Sequence, residues 1–204
     1  MFKDSLLTKI ENTDFEKVLN KLGYAYFKNG YYNLNIIGVR RKENRVTNSF
    51  DDYIVVIYKT PTKAFVKIAY PITTDPGAFY MKLPANKKGT AILVPGQYRR
   101  CWTIGKHKGK YEALVQAAPV KVYRDNNKDD VYDYNPETID NGIFGINIHK
   151  SGESSKHVDK WSAGCQVFKV SNDFRAFMRL CHEQVNNGFG NKFTYTLINE
   201  EDLC

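Results

Sequence analysis

Residues 53–72 read YIVVIYKTPTKAFVKIAYPI, and this stretch decides the class of fold. Two runs rich in Val, Ile and Tyr, the residues that strands favour, flank the turn-forming segment TPTK at 60–63. The pattern predicts a β-hairpin. Aromatic residues make up 14% of the chain and are mostly Tyr and Phe, which favours a β-rich protein.

The same patterns extend the prediction along the chain. Helical spacing of apolar residues appears at 4–22, with a break near NTD at 12–14, and again at 171–188, where Ser171 or Asn172 is the predicted N-cap and Gly188 lies near the end. The further predicted strands are LNIIGV (34–39), TAILV (90–94), ALVQAAPVKVYR (113–124), GIFGINIH (142–149), CQVFKV (165–170) and KFTYTLIN (192–199). The sequence therefore predicts an α+β, mainly β fold with helices at each end. We expect residues 1–49 to form a helical segment and first strand packed on a main domain at 50–204.

Charge and hydropathy limit the classes of partner. The 30 Lys and Arg exceed the 22 Asp and Glu, and the net charge of +8 attracts polyanions such as nucleic acid, anionic membrane or peptidoglycan. The densest basic runs, 40–42 and 106–110, are short, so we expect no nucleic-acid partner. No apolar run approaches the roughly 20 residues of a membrane span. The first 20 residues lack the apolar core of a signal peptide, so we expect synthesis in the host cytoplasm without export by such a peptide.

The four cysteines carry no CxxC pair, so neither a cysteine zinc site nor a disulfide framework is expected. Cys101, Cys181 and Cys204 are expected to be buried or free thiols. Cys165 is different, because it follows Ser162-Ala163-Gly164 and lies 16 residues after His149 at the end of a predicted strand. A cysteine nucleophile needs a base, backbone N–H groups for the oxyanion and room for substrate. The spacing alone leaves a second interpretation open, a core cysteine beside a packed histidine.

The stretch IHKSGESSKHVDKWSAGCQVF (148–168) resembles the active-site motif of the L,D-transpeptidase (YkuD-type) catalytic domain family, a histidine after a strand followed by Ser-x-Gly-Cys. AFVKIAYPITTDPG and GTAILVPGQYR resemble upstream segments of that family more weakly. The resemblance implies a β-sandwich-like domain acting on peptidoglycan stem peptides. Cys165 would attack a peptide carbonyl and form a thioester, with His149 as the base.

The resemblance also implies roles for the neighbours of this pair. The backbone carbonyl of Lys150 would orient the His149 ring, Gly164 and Cys165 would supply oxyanion N–H groups, and Ser162 would brace the turn. The candidate substrate contacts are His157, Trp161, Tyr98, His107 and Arg40. The chain departs from the family pattern at Ala163, usually histidine, and at Val167, usually arginine. Arg40, Arg99, Arg100 and His107 are candidates to replace that arginine.

The expected function is a cysteine-dependent peptidoglycan hydrolase of the phage endolysin type, acting at the bacterial cell wall without a cofactor. The alternatives are an L,D-transpeptidase or L,D-carboxypeptidase of wall synthesis, and a non-catalytic virion or wall-binding protein on the same fold. The sequence indicates no oligomeric state.

Three further patterns suggest other chemistry. His149, Glu153 and His157 are spaced i, i+4, i+8, which on a helix would align them for zinc, although Gly152 favours a loop. Oxygen-bearing side chains at 125–133 are spaced as in a calcium loop or as in a run of Asx turns. Asp51 and Asp52 form a carboxylate pair, but adjacent strand residues face opposite sides, so we expect turn and strand-start roles and a pairing with Arg40 or Arg41.

Overall fold

The computed structural model of the protein describes residues 4–42, 45–153 and 155–203. The helices are α1 (Ser5–Asn12), α2 (Phe15–Lys21), α3 (Ala78–Lys82) and α4 (Ser171–Gln184). The strands are β1 (Asn35–Arg40), β2 (Asp52–Lys59), β3 (Phe65–Thr73), β4 (Thr90–Leu93), β5 (Gly96–His107), β6 (Tyr111–Gln116), β7 (Val120–Asp125), β8 (Asp140–Gly142), β9 (Ile148–Lys150), β10 (Gln166–Phe168) and β11 (Phe193–Asn199). Short 3-10 turns cover Pro136–Thr138 and Glu200–Asp202.

Eight strands close into a barrel in the order β1-β11-β5-β6-β9-β10-β3-β2, and β4, β7 and β8 form a separate three-stranded sheet. The predicted hairpin is confirmed, since β2 and β3 pair antiparallel from Asp52 opposite Ile72 to Lys59 opposite Phe65. The α+β, mainly β class agrees with the sequence, but a closed barrel takes the place of the expected sandwich. Closure depends on the last strand, because β11 pairs parallel with β1 and antiparallel with β5 and so leaves β1 no free edge.

Two stretches that we predicted as single strands are each divided between the sheets. Residues 113–124 bend at Pro119, which has no N–H to donate to a ladder, and give β6 to the barrel and β7 to the small sheet. Of residues 142–149, Gly142 ends β8 in the small sheet, Ile148 and His149 lie in β9 of the barrel, and residues 143–147 belong to neither strand. The stretch of chain before His149 therefore crosses from one sheet to the other.

Aromatic side chains with polar partners fill the barrel. The Trp102 indole N–H donates to the Ile146 carbonyl at 2.7 Å, and the Tyr195 hydroxyl donates to Gln166 Oε1 at 2.8 Å. Helix α4 completes this core, with Phe174 and Phe177 packed against Phe168. Burying aromatic rings of this size supplies the largest apolar term in folding, and the tryptophan fixes the segment that leads to His149.

The N-terminal helices cover the outer face of the barrel. Leu6, Ile10 and Phe15 pack with residues of β1, β2 and β11 in a second apolar cluster. The predicted break between the helices is confirmed, because the Asp14 side chain accepts the Lys17 N–H and starts α2 anew. The expected boundary at 49/50 separates β1 from β2, two strands that are hydrogen-bonded in one barrel.

The predicted start of the last helix was wrong in detail. Val170 occupies the N-cap position, and Ser171 lies in the first turn with a buried hydroxyl that caps nothing. Gly188 does lie in the turn that ends the helix, at φ +85°. Cys101 and Cys181 are buried free thiols, as expected, and Cys204 is outside the described residues. Among the described residues, no helix combines the length and apolar composition that crossing a membrane requires.

Candidate active site

His149 lies in β9, Cys165 immediately precedes the neighbouring strand β10, and both side chains are on the same face of the barrel wall. Strands β9 and β10 are parallel, with His149 opposite Val167. Cys165 is two residues before Val167, and side chains two apart on an extended chain share a face. Ile148 and Phe168 point into the main core, whereas Val167 packs with Phe50 and Val158. The face that carries Cys165 is therefore the outer one, covered by the loop at 155–164, whose Val158 packs with Val167.

The turn before Cys165 is held by Ser162, as the resemblance implied. The fully buried Ser162 hydroxyl donates to the Cys165 carbonyl at 2.8 Å and accepts the Gly164 N–H at 3.1 Å. The expectation that Gly164 contributes an oxyanion N–H was therefore wrong, because that N–H is already bonded to Ser162. Gly164 is required for its conformation instead, with φ at +119° and no space for a Cβ beside the Ala91 carbonyl.

The Cys165 N–H is the donor that remains for an oxyanion. Within the described part of the chain it has no hydrogen-bond partner. A single backbone donor of this kind is worth a substantial part of oxyanion stabilisation.

The Lys150 carbonyl orients the His149 ring. His149 Nδ1 lies 2.8 Å from this carbonyl oxygen, which also accepts the Tyr111 hydroxyl at 3.2 Å. A carbonyl can only accept, so Nδ1 carries the proton and Nε2 keeps its lone pair. Nε2 is buried and has no hydrogen-bond partner among the described residues. Burial, then the charge of His107, lowers the pKa of His149 to about 3, and the ring is neutral at pH 7.

Cys165 is a neutral thiol in this arrangement. Its sulfur donates to the Gly145 carbonyl at 3.3 Å and accepts the Asn147 N–H at 3.4 Å. Although the residue is partly exposed, desolvation of the sulfur raises its pKa to about 11, against the opposing effects of the Asn147 N–H and Lys108. The thiol and His149 Nε2 are not hydrogen-bonded to each other. Both side chains are uncharged at pH 7.

His107, which we proposed from the sequence as a substrate contact, lies against His149. The His107 and His149 rings are stacked with centroids 4.0 Å apart. Asn147 Oδ1 accepts the Gln116 N–H at 3.0 Å, which leaves its Nδ2 to donate to His107 Nδ1 at 3.0 Å. His107 therefore carries its proton on Nε2. Burial and Lys108 lower the pKa of His107, so two neutral rings lie side by side.

Asn147 and Tyr111 were missed by our sequence analysis. The signal for Asn147 was available, since Ile146-Asn147-Ile148-His149 alternates apolar with polar and so places Asn147 on the face of His149. Tyr111 carried no such signal, because only the pairing of β6 with β9 brings it beside the ring.

Arg40 and Tyr98 do not belong to this site, contrary to our expectation. Arg40 is 2% exposed, and its guanidinium donates to Thr74 and to the Leu93 carbonyl and pairs with Asp75 at 3.0 Å. The Tyr98 hydroxyl donates to the Val94 carbonyl at 2.6 Å. Both side chains are committed to internal polar contacts. Arg99 stacks over the Phe27 ring, and so is placed against the N-terminal segment.

The covering loop presents two of the predicted substrate contacts. His157 is exposed, and Trp161 is 43% exposed beside a cleft of about 490 Å³ that Phe79 and Lys160 also line. The Trp161 ring lies over Gly152, where a Cβ would meet it at 2.8 Å. An exposed tryptophan over such a cleft is a surface on which a sugar or peptide can pack.

The metal and carboxylate patterns do not form sites. His149 is buried and His157 is exposed on a loop, so the helical alignment expected for zinc is absent. Across 4–42, 45–153 and 155–203, no three His, Cys, Asp or Glu side chains are placed to hold a metal ion. Asp52 is buried and accepts the Arg41 N–H and two Thr74 donors, which is the strand-start role that we expected.

The segment 125–133 forms Asx turns. The Asn127 amide donates to Asp129 at 3.0 Å and to Asp133 at 2.7 Å, and the Asp129 carboxylate accepts the Val131 N–H. The amide thus occupies the space between the two carboxylates.

Comparisons with protein-family models, with curated proteins and with solved structures find no match to this chain. The class that the fold defines is an α+β, mainly β protein built on a closed eight-stranded barrel.

Proposed function

We propose that the protein is a cysteine-dependent peptidoglycan hydrolase with an L,D-transpeptidase-like catalytic site, acting as an endolysin at the bacterial cell wall. The observation that carries the proposal is the anchoring of His149. Its Nδ1–H is bound to the Lys150 carbonyl, which leaves Nε2 as the basic atom on the face that carries Cys165. The resemblance of residues 148–168 to the family motif supports the substrate class. The net charge of +8 suits an anionic wall.

In the proposed reaction, His149 Nε2 takes the proton of Cys165 as the sulfur attacks the amide carbon of a stem peptide. The Asn147 N–H, 3.4 Å from the sulfur, stabilises negative charge there, and the Cys165 N–H receives the oxyanion. The C–S bond forms, the C–N bond breaks, and His149 Nε2–H protonates the leaving amine. The product of this step is a thioester on Cys165.

Water completes the proposed cycle. His149, neutral again, takes a proton from a water molecule that attacks the thioester carbon, the C–S bond breaks, and the proton returns to the sulfur. Since Cys165 is partly exposed, water reaches the acyl group without a change of fold. An amine in place of water would give transpeptidation, and the acceptor therefore distinguishes this hydrolase from the transpeptidase alternative.

Digestion of purified sacculi, with mass spectrometry of the products, tests the proposal. Wild-type protein should release muropeptides with newly hydrolysed amide bonds, and Cys165→Ala should release none. Cys101→Ala is the matched control, since it removes a buried thiol away from the site and should digest as wild type does. Digestion by Cys165→Ala would refute the mechanism, and new cross-links in place of hydrolysed bonds would favour the transpeptidase.

A second candidate, a wall-binding protein without turnover, is favoured by one observation. The Cys165 thiol donates to the Gly145 carbonyl rather than to His149, and its pKa is raised to about 11. Such a protein would sediment with sacculi and release nothing, and its Cys165 would react with thiol reagents equally well in wild type and in His149→Gln.

A further inference from the structure

A cavity of about 320 Å³ opens beside the turn that carries Cys165. Ala163 lines it on one side, and Phe144 lines it on another, next to Gly145, whose carbonyl accepts the Cys165 thiol. Thr90 and Asn86 contribute polar walls, and Arg124 is its charged lining residue. A group held in this cavity would lie beside the turn that carries Cys165.

Arg124 is fixed in the cavity wall and has N–H donors that are not used in hydrogen bonds within the described residues. It is 9% exposed, and Phe144 stacks over its guanidinium at 4.6 Å. Nε and Nη2 donate to Asp140 Oδ2 at 3.3 and 3.2 Å, and Nη1 donates to the Gly89 carbonyl at 3.3 Å. Each terminal nitrogen has two N–H groups and uses one of them, so one N–H on each remains for an acceptor.

The charge around the guanidinium is not balanced. Arg124 and Lys88 share the single carboxylate of Asp140, at 3.2 and 3.3 Å. The other residues that line the cavity carry no charge. Glu137 lines the adjoining cleft with both cations but, among the described residues, forms an ion pair with neither. The ion pairs here therefore set two cations against one carboxylate, which favours an anion of carboxylate geometry at the planar guanidinium.

We propose that this cavity binds a free carboxylate of the substrate, and that Arg124 is the residue that selects it. The inference rests on the proposed function for the identity of the substrate, a stem peptide with a carboxylate close to the scissile amide. Asp140 is the internal competitor that sets how strongly the guanidinium binds.

Equilibrium binding to Cys165→Ala protein tests this independently of catalysis. The probes are a synthetic stem tetrapeptide with a free C-terminal carboxylate and its C-terminal carboxamide, measured by isothermal titration calorimetry. We expect the acid to bind about tenfold more tightly than the amide, as for loss of one charge-assisted contact. Arg124→Met should reduce this ratio to about one, and Asp140→Asn, which removes the competing negative charge, should tighten binding of the acid about threefold or more.

Lys121→Met is the matched control, because it removes an exposed cation from the same strand and should leave the ratio unchanged. Equal binding of acid and amide, or a ratio that survives Arg124→Met, would overturn the inference. If Arg124→Met does not fold, Asp140→Asn decides, and unchanged affinity for the acid overturns it. Selective binding of the acid with no digestion of sacculi by wild-type protein would retain this site and refute the proposed function. Digestion of sacculi without selective binding of the acid would refute this site and retain the proposed function.

Discussion

Replacing Gly164 by alanine should destabilise the protein strongly and disable Cys165, although the change adds one methyl group. Gly164 has φ +119°, a conformation outside the range that L-residues adopt. The added Cβ would overlap the Ala91 carbonyl oxygen of β4 and stand 3.1 Å from Ile146 Cδ1. Backbone and neighbours must both move, and the turn that presents Cys165 moves with them.

The expected magnitude comes from two terms. Holding a non-glycine residue in a sparsely populated backbone region costs about 1–3 kcal/mol, and overpacking against a fixed backbone atom adds about 1–3 kcal/mol. We expect a loss of about 3 kcal/mol or more. Gly109→Ala is the matched control, with φ +71° and no atom within 4 Å of the added Cβ, and should lose about 1 kcal/mol.

Urea unfolding followed by tryptophan fluorescence measures both variants, and the roughly 2 kcal/mol difference corresponds to about 4–8 °C in Tm. The rate at which a thiol reagent labels Cys165 under native conditions should differ from wild type in Gly164→Ala and equal that of wild type in Gly109→Ala. Equal destabilisation of the two variants would refute the assignment of Gly164 as the conformational element of the site.

Three further predictions concern neighbouring groups. Burial lowers the pKa of His149 from 6.5 to about 3, so the stability that the neutral ring contributes is complete above about pH 6.5 and is lost as the pH falls. Between pH 6 and 4, wild type should lose about 1.4 kcal/mol of unfolding free energy per pH unit from this group. His149→Gln should lack this slope, and the surface control His182→Gln should keep it. Ser162→Ala removes both hydrogen bonds of a buried hydroxyl and should cost about 1–3 kcal/mol in urea unfolding; no measurable cost would show that the turn holds without it. Trp161→Ala should weaken co-sedimentation with sacculi and lower Tm, since more than half of the residue is buried and its ring packs over Gly152; undiminished binding by the folded variant would remove Trp161 from the substrate surface.

Most strands and the helical stretches at both ends of the chain were predictable from sequence because their signals are local, but β5 and α3 were not predicted. The β2–β3 hairpin depends on two β-branched runs and one turn, and the helix break depends on Asp14 as a cap. The same alternation predicts His149 in one strand and Cys165 at the start of another, but it does not indicate that these two strands pair. Ser162 as the brace of the turn and Lys150 as the carbonyl that orients the ring were expected from the resemblance, and the hydrogen bonds of both residues agree.

What the sequence did not indicate depends on contacts between distant strands. Barrel closure needs β11 to pair with β1 across about the whole chain, and no local pattern encodes that pairing. Arg40 was a candidate substrate contact because of its charge. Inside the fold its guanidinium donates to Thr74 and to the Leu93 carbonyl and pairs with Asp75. The hydrogen bond from the Gly164 N–H to Ser162, which makes this N–H unavailable to an oxyanion, depends on the geometry of the turn. Motif and spacing leave that geometry open.

Trapping of the acyl-enzyme is the most direct test of the central claim, that Cys165 is a nucleophile served by His149. Wild-type protein is mixed with a stem-peptide substrate, quenched in acid within seconds and measured by intact-protein mass spectrometry with peptide mapping. We predict one acyl adduct on Cys165, none in Cys165→Ala, and a greatly reduced amount in His149→Gln. An adduct on another residue, or equal acylation of Cys165 with and without His149, would contradict the account.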